Sequence, residues 1–182
     1  MKKIPTFAGI GPRETPASVC NDMAAMGNLF AKLGWYGCSG FGEGADQAWL
    51  SQIPQQQQEV WLPWSTYNGA SMAMDPHKRF RLLVPTGRIE QVAKTFYAND
   101  WGKATQGIRL LMMRNVAIMM SNTLDAPVDL VAYWQSEAKE HDPFGGTNHA
   151  IKVAKHFGIP CFNIRKQEDV DAMSVFVESL TK

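Results

Sequence analysis

The sequence predicts an α/β fold, a Rossmann-like parallel sheet of about five or more strands flanked by helices. Three observations carry this. Short apolar runs alternate with longer segments whose apolar residues recur at helical spacing. Glycine-rich turns, "GIGPRETP", "SGFGEGAD" and "FGGTNHA", stand where three of these elements meet. The run "PVDLVAYW" at 127–134 is nearly all apolar, as a strand covered on both faces must be. At 182 residues the chain is expected to form one domain, 1–182.

The elements follow in order. "IPTFAGIG" (4–11) reads as a buried strand. In the next segment Thr15 suits an N-cap, Pro16 a first helical position and Gly34 a stop. Between them Val19, Met23, Met26, Leu29, Phe30 and Leu33 share one helical face. "WYGCSG" is a second strand, "EGADQAWLSQI" a second helix, and "EVWLPW" (59–64) a third strand. The stretch 65–87 lacks clean periodicity and is expected to loop over the sheet edge. The segment 88–120 reads as two helices broken around Asn99–Gly102. Residues 127–134 form a fourth strand, the third glycine turn opens a helix that ends at Gly158, "IPCFNI" is a fifth strand, and a closing helix starts at Gln167.

Composition narrows the function. The net charge is +1, so the surface lacks the broad basic field on which strong non-specific binding to duplex nucleic acid rests. Weak binding of single-stranded DNA through a local cleft stays open. Cys20, Cys38 and Cys161 are far apart and odd in number, which gives no disulfide framework. His77, His141, His149 and His156 form no HxH or HxxxH pair and no cysteine lies at ligand spacing, so no metal site is expected. No cofactor is expected either. The N-terminal stretch lacks a signal peptide's apolar core, and no run of about 18 apolar residues occurs. A cytoplasmic protein without membrane contact is the expectation.

In a doubly wound sheet the three glycine turns would meet along one edge, where ligands bind. A glycine turn that opens a helix offers free N–H groups and the positive dipole end, which suits phosphate. Each glycine equally suits a tight turn alone.

The turns also carry a resemblance. "AGIGPRETP" resembles the first-strand motif of the DprA/Smf proteins, and "SGFGEGADQAW" their Ser-Gly-x-x-x-Gly-x-Asp stretch. "GGTNHAIKVAKHFGIPCFNI" is similar to the Gly-Gly-Thr turn, helix and strand shared with the Lonely Guy phosphoribohydrolases. Together these define the SLOG superfamily, and the likeness spans roughly 4–64 and 127–165. It implies a Rossmann-like fold, a nucleotide or nucleotide-derived ligand and a homo-oligomer. By position, Gly9, Gly11 and Arg13 would meet phosphate, Ser39, Gly40, Gly44 and Asp46 would form the second loop, and Gly145, Gly146 and Thr147 the third, while the glycine spacing of the second turn by itself adds Gly42 to the places where a phosphate would approach. Lonely Guy enzymes carry a glutamate three positions after the threonine, where this chain has Ala150. A catalytic carboxylate would therefore have to come from Glu14, Glu43 or Asp46.

Several residues keep two readings. Arg13 holds phosphate or makes a surface salt bridge. Asp46 binds a ribose hydroxyl or caps its own helix. Arg114 and Asn115 face a cleft or mark the wet side of their helix. Trp64 is a stacking platform for a base, Trp61 a core residue, Thr66–Asn68 a lid, and His149 a ligand-facing group on the third loop. The leading expectation is a non-catalytic sensor or sequestering protein for a nucleotide. The alternatives are a nucleotide N-glycoside hydrolase or transferase and a DprA-like single-stranded DNA binder.

Overall fold

In the computed structural model, which describes residues 4–181, six strands follow the chain: β1 (Thr6–Ile10), β2 (Tyr36–Ser39), β3 (Gln58–Leu62), β4 (Phe80–Leu82), β5 (Leu130–Tyr133) and β6 (Cys161–Asn163). They form one sheet, parallel at every pairing, in the order β4-β3-β2-β1-β5-β6. The chain winds outward from β1 to β4 and then returns to lay β5 against the other side of β1. That reversal creates a crevice beyond the C-terminal ends of β1 and β5.

Among the described residues seven α-helices connect or close the strands: α1 (Ala17–Lys32), α2 (Ala45–Leu50), α3 (Gly87–Phe96), α4 (Gln106–Met120), α5 (Glu137–Glu140), α6 (Gly146–His156) and α7 (Gln167–Thr181). One face of the sheet packs on α1, α2 and α7, and the other on α3, α4 and α6. Strand alternation feeds both cores. Along β1, Phe7 enters the first and Ala8 and Ile10 the second; along β5, Leu130 and Ala132 alternate with Val131 and Tyr133. Phe7 is fully buried and stacks on Phe30 with centroids 4.3 Å apart. Burying one such side chain contributes about 1.5–3 kcal/mol. Among the described residues, no helix is long and apolar enough to cross a membrane.

Two local expectations need correction. Residues 65–87 do not merely loop over the edge: Phe80–Leu82 adds a sixth, edge strand beside β3. Its supports are tertiary, which is why periodicity missed it. Phe80 N–H donates to Asp75 Oδ2 at 2.8 Å, and Leu83 N–H donates to the Leu62 carbonyl at 2.9 Å. Thr15 does not cap α1. Its hydroxyl donates to the Pro12 carbonyl at 2.7 Å, holding the first turn, and Pro16 stands at the cap position without a side-chain cap bond.

Candidate functional site

A cavity of about 390 Å³ opens at the switch point between β1 and β5. Its walls come from Gly11–Arg13 after β1, from Gly42, Glu43 and Asp46 after β2, and from Gly145–Thr147 at the start of α6. The three glycine turns thus meet on one edge. Leu111, Met112, Arg114 and Asn115 of α4, Gln135 after β5, Tyr67, and Lys139 and Asp142 on the strap before α6 complete it.

The second turn is built around an ion pair. Arg114 Nη1 donates to Asp46 Oδ2 at 3.3 Å, and both residues are 7% exposed. The same carboxylate oxygen accepts the Gly42 N–H at 3.0 Å. Burial pushes the Asp46 carboxyl up from its ordinary value, against the opposing pull of Arg114 and the Gly42 N–H. A β-carbon on Gly40 would overlap the Arg114 guanidinium, so that glycine makes room for the arginine. Gly44 has φ +75 and a β-carbon there would lie 2.1 Å from the Arg13 carbonyl oxygen, so it lets the first and second turns touch.

Arg114 is not saturated by Asp46. Its Nε is buried without a partner, and its guanidinium lies 5.7 Å from the centre of the Tyr67 ring. Arg13 approaches the same tyrosine from the solvent side, donating through Nη2 to Tyr67 Oη at 3.2 Å. Two guanidinium groups therefore flank one phenol at the cavity wall.

The opposite wall is the start of α6. Gly145 is its cap residue, no side chain caps it, and its first turn holds no acid. Asn115 Nδ2 donates to the Gly146 carbonyl at 3.1 Å, pinning the turn to α4. Behind it lies His149, 3% exposed, whose Nε2 contacts the Ala93 carbonyl at 2.9 Å. A carbonyl partner requires Nε2 to carry the proton, so Nδ1, 3.5 Å from Asn115 Nδ2, is the acceptor. Burial holds the imidazole neutral, with its pKa lowered to about 4.

The structure brings Gly11, Arg13, Gly42, Glu43, Asp46, Gly145, Gly146 and Thr147 to the cavity. It places the other expected residues elsewhere. A β-carbon on Gly9 would lie 2.4 Å from Trp49 Cγ, so this glycine admits a helix-borne tryptophan. Ser39 is fully buried and ties β2 to β1, its hydroxyl donating to the Gly9 carbonyl at 2.6 Å. Gly40 and Gly44 pack against Arg114 and Arg13, and Glu14 is exposed outside the lining. Trp64 is 38% exposed and packs edge-on against Tyr67 outside the lining, while Trp61 is core. Asp46 pairs with Arg114 and caps nothing at α2. His149 faces Ala93, and of the expected lid residues only Tyr67 lines the cavity.

Sequence reasoning missed Gln135, Lys139, Asp142 and Asn148. Gln135 had a usable signal, being the first strongly polar residue after an apolar strand. The strap residues had none, because α5 is one short turn whose position depends on Glu140 pairing with Arg165 and Lys166. The Asp142 carboxylate is held below its ordinary pKa by the Phe144 N–H and Lys139. Among the described residues, no group of three or more His, Cys, Asp or Glu side chains is placed to hold a metal ion.

No family model matches the chain, and comparisons with curated proteins and with solved structures gave no match. The fold and the cavity are the grounds for a functional reading.

Proposed function

We propose that this cytoplasmic protein binds a nucleotide or nucleotide-derived phosphate ester in the switch-point cavity, as a sensor or sequestering protein. The observation that carries the reading is Arg114, a buried guanidinium with one protein acceptor, Asp46, among the described residues, lining the same cavity as the uncapped start of α6. Its planar fork matches phosphate oxygens, and a helix N-terminus adds backbone donors and favourable dipole. Arg13 supplies a second cation at the rim. The resemblance of the three glycine turns to the SLOG proteins points the same way. Mass spectrometry of whatever the purified protein carries, followed by calorimetry with inorganic phosphate and nucleoside monophosphates, tests this. An intact nucleotide retained without turnover supports it; absence of binding to every phosphate compound rejects it.

One observation favours the N-glycoside hydrolase or transferase as a second reading. Of the three carboxylates on the cavity, Asp46 is held by Arg114 and Gly42, and Asp142 by Phe144 and Lys139. Glu43 is exposed to the cavity with no acceptor role in the protein's own hydrogen bonds among the described residues. In this reading Glu43 stabilises an oxocarbenium-like sugar or activates water. Release of free base from a nucleotide panel, abolished by Glu43→Gln, would establish it. No release would leave the binding role.

A further inference from the structure

Three carboxamides share the cavity: Asn115 from α4, Gln135 just beyond β5 and Asn148 in the first turn of α6. Their exposures are 7, 4 and 8%. Each spends its NH₂ group on backbone carbonyls. Asn115 Nδ2 donates to Gly146 at 3.1 Å, and Gln135 Nε2 to Lys139 at 2.8 Å. Asn148 Nδ2 donates to Lys139 at 3.0 Å and to Asp142. Rotating any of the amides by half a turn would set its oxygen against a carbonyl oxygen, so the assignment of O and N is fixed by the network.

The amide oxygens are what remains. Among the described residues none of the three meets a donor, and none is sealed off from access. For side chains this buried, that access is through the cavity they line. Three acceptors with their donors already committed form a wall that can only receive hydrogen bonds.

The neighbours decide what it receives. Arg13, Arg114 and Lys139 line the same space as the carboxylates Glu43, Asp46 and Asp142, so the lining carries no net charge that would draw a charged donor to the amides. Carboxylates in place of the amides would accept as well but would repel a phosphate. Carboxamides accept without charge. Leaving such buried acceptors empty when a ligand excludes water is costly, which makes the wall selective for ligands that fill it.

We infer that Asn115, Gln135 and Asn148 select a phosphorylated ligand by its neutral hydrogen-bond donors, the hydroxyls of a ribose or the exocyclic amino group of a base. This rests on the phosphate reading above and adds the part of the ligand that is recognised besides the phosphate.

Calorimetry on the full chain tests it. The probes are inorganic phosphate, adenosine 5′-monophosphate, its 2′-deoxy and 2′,3′-dideoxy analogues, and purine riboside 5′-monophosphate, which lacks the amino group. Removal of a recognised donor should weaken binding about tenfold or more. Loss with the deoxy analogues assigns the wall to the sugar, and loss with the riboside assigns it to the base. In Gln135→Leu or Asn115→Leu the ratio between parent and analogue should collapse towards one. A general loss of packing would lower both affinities and keep the ratio. Equal affinity of all the nucleotides for the unmodified protein overturns the inference even if neither variant folds, as does a ratio that survives both substitutions. Binding of nucleotides without discrimination rejects this inference alone. Failure of phosphate and all nucleotides to bind rejects the phosphate reading with it.

Discussion

A β-carbon on Gly40 would lie 1.4 Å from Nη1 of Arg114, so the guanidinium fills the space a side chain would take. The acid that follows the glycines, Asp46, is the counterion of that arginine at 3.3 Å. The glycine turn is therefore shaped first around an arginine of its own chain. Two buried charges tolerate each other's company only while both are present, since the survivor of a broken pair remains desolvated.

Gly40→Ala is expected to displace Arg114 and break the pair, lowering stability by about 3–5 kcal/mol. Gly87→Ala is the control. It stands at the start of α3 with open space around its added carbon, and should change stability by less than about 1 kcal/mol. Urea denaturation of the three proteins measures both. Equal midpoints for Gly40→Ala and the parent protein would show that the loop yields without moving the arginine.

His149 predicts an acid-sensitive stability. Its folded pKa is lowered to about 4, from an ordinary 6.5. Below 6.5 the unfolded chain takes up the proton first, so stability is complete above that pH and is lost as pH falls towards 4. The difference amounts to about 3 kcal/mol at 1.36 kcal/mol per pH unit. The raised Asp46 acts with the opposite sign, because its protonation favours the folded state. The readout is therefore the difference between the parent protein and His149→Gln. Denaturation at pH 7, 5.5 and 4.5 should show a shallower decline in the variant. Parallel declines would mean that another group carries the acid sensitivity.

The fold was legible because its signals are local. Phe7, Ala8 and Ile10, and then Leu130 to Tyr133, are apolar strands buried on both faces, and Gly34 and Gly158 take positive φ where the helices were expected to stop. The meeting of the three turns followed from the parallel topology. What each glycine does was not legible. Gly9 faces Trp49 and Gly40 faces Arg114, partners that lie 40 and 74 positions away, and a glycine looks the same whether it admits a ligand or a side chain. The amide wall was hidden for the same reason, since Asn115, Gln135 and Asn148 meet only after three separate elements pack.

Single-stranded DNA should bind weakly. The net charge is +1, and Arg114 is partly neutralised by Asp46 within the cavity. Few phosphates can be contacted at once, so the dependence of log affinity on log salt should be shallow, about −0.7 per phosphate neutralised. Fluorescence titration of an oligonucleotide at several salt concentrations reads this slope. Nanomolar affinity with a steep slope would make the DNA-binding alternative the leading one.

Arg13 and Arg114 should separate binding from folding. Arg13 is exposed, and its hydrogen bond reaches only the Tyr67 hydroxyl. Removing it leaves no buried charge behind, so Arg13→Ala should stay within about 0.5 kcal/mol of the parent protein in stability. A hydrogen bond to a charged group is worth about 1.5–3 kcal/mol, so the same variant should bind a nucleoside monophosphate about ten- to a hundredfold more weakly. Arg114→Ala strands a buried Asp46 and should lose both, with stability falling by about 3–5 kcal/mol. Calorimetry and urea denaturation on each variant give the two numbers independently. Undiminished phosphate affinity in a folded Arg13→Ala protein would remove Arg13 from the site and leave Arg114 and the α6 N-terminus to hold the anion.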